Sequence, residues 1–140
     1  MILLVLANSI IFILLALLHI YWATGGKWAR NLTIPVDRKG RKAFKPSIIG
    51  TLLVAAGLIG FAFIMIANTI TFNYAEYTRI VHYSTWGIGI IFLLRSIGDF
   101  KFFGFMKRIR HTEFGLYDSK IYSPLALAIA VISFVVATWN

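Results

Sequence analysis

The chain contains no cysteine, three prolines and five acidic residues in 140 positions. Without cysteine there is no disulfide framework, no thiolate nucleophile and no cysteine-bound metal or cluster. Acids are too sparse for a carboxylate cluster. There is no His-Glu-x-x-His pair, and no glycine-rich phosphate loop follows a strand. No metal and no cofactor is therefore expected. Charged residues are also scarce, at 14% against 59% hydrophobic, which leaves no polar stretch long enough for a soluble nucleotide-binding lobe.

What is present is four long apolar runs, over about 2–23, 47–71, 80–98 and 124–139. About 20 apolar residues cross a hydrocarbon layer roughly 30 Å thick, at about 1.5 Å of rise per residue. The pattern predicts one domain over 1–140, an all-α membrane fold: a four-transmembrane-helix bundle. The first run lacks a basic leader, and Tyr21-Trp22-Ala23 is too bulky for a cleavage site, so it reads as a retained helix. Thr24-Gly25-Gly26 ends it, and Pro46-Ser47 opens the second. The last run is short for a span. It either thins the bilayer or starts before Pro124.

The formal charge of +9 is concentrated in two connections. The first loop holds Lys27, Arg30, Arg38, Lys39, Arg41, Lys42 and Lys45. The connection after the third run holds Lys101, Lys107, Arg108, Arg110 and Lys120. The short connection from Phe72 to Arg79 holds only Arg79, with Asn73 and the interfacial aromatics Tyr74 and Tyr77. Positive-inside asymmetry predicts a multi-pass cell-membrane protein with both basic loops in the cytoplasm and both termini outside. The basic loops point to anionic lipid headgroups as partners rather than nucleic acid. Between runs three and four, Phe102, Phe103, Phe105 and Phe114 alternate with Lys107, Arg108 and Arg110. That mixture predicts an interfacial segment whose aromatics lie in the interface or against the bundle, with these cations toward headgroups.

Helical spacing assigns faces. Ala126, Ala130, Ser133 and Ala137 form a small-residue stripe for close helix packing, as do Gly50 and Gly57 with Asn68, and Ala56 with Gly60. Asn8, Leu15, His19 and Trp22 share a sector that should face the bundle, because an unsatisfied polar group in lipid is costly. Ser84, Ile88, Ile91, Arg95 and Asp99 share another. There Arg95 and Asp99, four apart, are expected to pair.

Under that topology His19 and Trp22, Arg95 and Asp99, and Tyr122 come from three helices at one depth. They form the candidate ligand-binding set. Arg95 suits a phosphate or carboxylate headgroup while Trp22 and the helix walls hold a tail. No catalytic residue is assigned. A second group at the opposite surface, Glu76, Arg79, His82 and Tyr83, reads as solvated interface.

Several strings occur together: His19-Ile20-Tyr21-Trp22-Ala23-Thr24-Gly25-Gly26, Arg95-Ser96-Ile97-Gly98-Asp99-Phe100, Phe103-Gly104-Phe105, and Asp118 followed by Tyr122-Ser123-Pro124-Leu125. With them the chain resembles, over nearly its full length, a family of small bacterial membrane proteins known as a domain of unknown function. The resemblance implies a four-helix membrane domain and carries no activity. A His with carboxylates in a small bundle is also faintly similar to sterol-isomerase-like membrane domains, though the first two runs hold no acid. Three functions follow as expectations. One is a binding module for a lipid or other amphiphile near the cytoplasmic leaflet. Another is a small intramembrane enzyme with isomerase-like acid–base chemistry on His19 and Asp99. The third is a structural or regulatory subunit, packing on another membrane protein or a second copy through its small-residue faces.

Overall fold

The computed structural model describes residues 1–37, 39–70 and 74–139. Arg38, the expected end of the second span at Thr71, the connection residues Phe72 and Asn73, and Asn140 lie outside the described residues. The helices are α1 (Ile2–Ala23), a single turn α2 (Arg30–Thr33), α3 (Ile48–Ala67), α4 (Ala75–Ile97), α5 (Glu113–Tyr117) and α6 (Ser123–Trp139). A π-helical turn over Asp118–Tyr122 joins α5 to α6, giving one rod from Glu113 to Trp139. Four of the helical stretches are long and apolar enough to cross a membrane: α1, α3, α4 and this rod.

Burial is inverted relative to a water-soluble bundle. Leu3, Ile49 and Phe63 are 76%, 73% and 68% exposed, whereas Asn8, Thr85 and Ser133 are fully buried. An apolar exterior of this extent is unfavourable in water, and in hydrocarbon it carries no penalty. α1 packs chiefly on α3 and α4 chiefly on α6. Lighter contacts of α1 with α6, and of α3 with α4, close the ring. Polar side chains tie those lighter seams. Asn8 Nδ2 donates to Ile129 O at 3.2 Å and Ser133 Oγ at 3.1 Å, and Asn68 Nδ2 donates to Thr85 Oγ1 at 2.9 Å. Within lipid such bonds hold helices together where apolar burial offers no driving force.

The α6 stripe behaves as expected: Ala126, Ala130, Ser133 and Ala137 are all buried. Gly89 of α4 lies so close to the Phe134 ring that a Cβ there would collide with it. The expected α3 stripe is not the packed face. Ala55, Leu58, Ala62 and Met65 are buried, while Ala56 and Gly57 are exposed and an added Cβ on Gly57 meets open space. At mid-bundle Phe12 meets Phe61 and Phe92, with ring centroids 5.7 and 5.4 Å away. These rings form a plug across α1, α3 and α4. Beyond it, toward the two long connections, the packing opens.

The last rod begins before Pro124, as one of the two expected alternatives had it. Proline has no N–H to bond the carbonyl four residues back, and its ring crowds that carbonyl. The helix widens instead. The Ser123 N–H bonds the Asp118 carbonyl five residues back. Such π turns absorb irregularity without ending a helix. Here the wide turn sets Asp118 and Ser123 side by side.

Candidate functional site

α4 stops at Gly98, whose φ of +97° suits glycine. The chain then turns back on itself. Asp99 Oδ1 accepts from the N–H groups of Lys101, Phe102 and Phe103 at 2.9, 2.7 and 2.9 Å. The Phe105 N–H reaches the Ser96 carbonyl at 2.8 Å. Gly104, at φ +81°, lies directly against the backbone of Ile97 and Gly98. Asp99 is exposed and caps this loop. Partial burial pushes its pKa up. The N–H groups of Phe103, Phe102 and Lys101 outweigh that and hold it below the usual carboxylate range. A lowered folded-state pKa means that its contribution to stability is complete above the ordinary carboxylate pKa. It is lost as pH falls through the lowered value.

The expected Arg95–Asp99 pair is therefore corrected. Four-residue spacing places side chains together only while the helix continues, and Gly98 breaks the register first. Arg95 turns to Asp118: Nη2 donates to Oδ1 at 2.7 Å. The expected α4 face shifts accordingly. Thr85, Ile88, Gly89 and Ser96 are buried, while Ile91 and Asp99 are exposed.

Asp118 is the hub of a buried clasp. Its side chain has no exposed surface. Oδ2 accepts from Lys107 Nζ at 2.9 Å, the Gly104 N–H at 2.9 Å and Ser123 Oγ at 3.0 Å. Lys107 Nζ also donates to the Gly104 carbonyl at 3.1 Å and to Ser119 Oγ at 2.6 Å. Lys107 is only 2% exposed, so the expectation that it points to headgroups is overturned. Burying an ammonium is tolerable only with paired charge and full hydrogen bonding, and Lys107 has both. Arg108 and Arg110 are exposed, and Phe114 is buried. The clasp ties the 98–107 connection to the π turn.

Next to the clasp lies a chamber of about 740 Å³. One wall is the end of α1, with Leu15, His19 and Trp22. Trp28 to Thr33 forms the cover. Arg95, Phe103, Phe114 and Tyr122 form the wall on the clasp side. A smaller cavity of about 350 Å³ lies on the other side of His19 and Trp22, toward α3. Two of the expected polar groups hold the cover in place: Trp22 Nε1 donates to the Trp28 carbonyl at 2.8 Å, and Tyr122 Oη donates to the Leu32 carbonyl at 3.4 Å. His19 Nδ1 lies 2.7 Å from the Leu15 carbonyl. A carbonyl only accepts, so Nδ1 carries the hydrogen and Nε2 is left for other contacts. The Arg95 guanidinium sits 4.9 Å from the Phe103 ring centroid, which fixes its plane.

Four of the five sequence-derived site residues thus line one chamber: His19, Trp22, Arg95 and Tyr122. Asp99 does not. Glu76, Arg79, His82 and Tyr83 are on the other half of α4, away from it. Lys107 and Asp118 are additions. The available signal for Asp118 was an acid six residues before Pro124, at the entry to the last apolar run, where an unpaired carboxylate is costly. Among the described residues no three His, Asp or Glu side chains gather to hold a metal ion.

A family model described as "Protein of unknown function (DUF3995)" matches residues 12–133. No curated protein and no solved structure matches the chain.

Proposed function

We propose, for a chain that belongs to this family of proteins of unknown function, that the chamber holds the apolar tail of an amphiphilic small molecule, without chemistry of its own. The observation that carries this is the chamber's make-up. Aliphatic and aromatic side chains dominate a volume of about 740 Å³, and a guanidinium and an imidazole lie on its walls. Ligand cavities typically run from about 300 to 1,000 Å³, with mostly apolar walls and a few placed polar groups. No Asp or Glu lines it. Its neighbour Asp118 is already engaged by four donors. That argues for binding over the His–carboxylate proton transfer an isomerase would need. On the same reading, positive-inside asymmetry puts the chamber at the cytoplasmic leaflet, with the basic loops on anionic headgroups.

Tryptophan emission tests this. Trp86→Phe with Trp139→Phe leaves Trp22 and Trp28, both on the chamber walls. Bromine-labelled dodecanoate, added to this protein in a neutral detergent, should quench them saturably. Ala126→Phe, which fills the chamber from α6, should remove the saturable phase. Leu15→Phe on the α1 wall serves the same purpose if the first variant unfolds. Quenching that rises linearly, and equally in filled and unfilled chambers, would reject the reading.

A further inference from the structure

The clasp carries an unbalanced charge. Two cations, Arg95 and Lys107, share the single carboxylate of Asp118. Lys107 is sealed away, with Nζ engaged by Asp118, the Gly104 carbonyl and Ser119. The surplus positive charge is therefore presented by Arg95, the one Lys or Arg on the chamber wall among the described residues. Only its Nη2 is occupied by Asp118. Nη1 is buried and has no hydrogen-bond partner among the described residues, while the side chain as a whole is 32% exposed. A guanidinium in which one nitrogen is satisfied and the other is buried and unpaired lacks an acceptor. Stacking on Phe103 keeps the group from swinging away to find one.

We infer that the amphiphile is an acid whose anionic oxygens, on a carboxylate or a phosphate monoester, pair with the Arg95 guanidinium at the chamber wall while its single tail fills the chamber. This rests on the amphiphile reading above and names its headgroup class. Arginine's planar fork matches an oxyacid geometrically, and the pairing is charge-assisted. His19, also on the chamber wall, leaves Nε2 for a polar contact with the head. The surplus cation then meets its counter-charge.

The test compares heads on one tail. In the Trp22/Trp28 protein in neutral detergent, bromine-labelled dodecanoate is displaced by unlabelled dodecanoate, dodecyl phosphate, dodecanol and inorganic phosphate. A hydrogen bond to a charged group is worth roughly a 10- to 100-fold preference, so the two acids should outcompete the alcohol by about that factor. The stronger of the two identifies the oxyacid. Inorganic phosphate should displace nothing, because the tail carries most of the affinity. Arg95→Gln should erase the preference by weakening the acids and leaving dodecanol unchanged. Arg95→Lys should keep part of it. If Arg95→Gln unfolds the protein, the acid-to-alcohol ratio of the unaltered arginine still decides. Dodecanol binding as tightly as the acids overturns the headgroup assignment and leaves the amphiphile reading standing. Failure of every dodecyl compound to bind saturably overturns both.

Discussion

Asp118→Asn should be among the most damaging single substitutions in this chain. The new amide keeps the shape and loses the charge. Lys107, whose side chain has no exposed surface, is then left as an uncompensated buried cation, and Arg95 loses its ion pair with residue 118. Removing one partner of a buried ion pair costs about 3–5 kcal/mol, because the survivor remains desolvated. Thermal unfolding in detergent should fall sharply. Adding Lys107→Met should recover part of the loss by removing the stranded charge. Asp99→Asn is the control. Asp99 is exposed, and asparagine accepts the same backbone bonds and caps about as well as aspartate. Its effect should stay within about 1 kcal/mol. Equal effects at 99 and 118 would contradict the clasp.

Gly98→Ala should open the same clasp from the other side. At φ +97° and ψ −173° an L-side chain is strained by about 1–3 kcal/mol. A Cβ there would also run into the Phe103 carbonyl, which is backbone and cannot rotate away. The 98–104 loop has to move. In moving, it loses the Asp99 cap and pulls the Gly104 N–H off Asp118. Amide exchange across 99–107 should accelerate strongly and the unfolding temperature should drop. Gly25→Ala separates the two causes. Gly25 has a similar φ of +100°, and an added Cβ there meets nothing within 4 Å. It should show the backbone cost alone. A Gly98→Ala protein no worse than Gly25→Ala would mean that the close approach is not structural.

The spans were legible because lipid imposes a strong pattern. A run of apolar residues must be helical once its backbone has no water to bond, so Ile2–Ala23 reads directly from the sequence. Boundaries failed where polar residues continue a helix. α4 starts at Ala75, before the apolar run, and the last rod starts at Glu113 because a π turn carries the helix into Pro124. The chamber was legible in part. His19, Trp22, Arg95 and Tyr122 share a depth that alternating spans make plain. Asp99 was misplaced because spacing arguments assume an unbroken helix, and Gly98 breaks it. Asp118 and Lys107 meet through a loop whose closure depends on two left-handed glycines, Gly98 and Gly104. Neither hydropathy nor periodicity encodes that closure.

We propose that the chamber beside the clasp binds an amphiphile. Mass spectrometry under non-denaturing conditions, on protein extracted from its own membranes in a neutral detergent, measures this most directly. One small acidic amphiphile should be retained per chain and lost in a folded Ala126→Phe variant. The same amphiphile retained equally by the chamber-filled variant would contradict it.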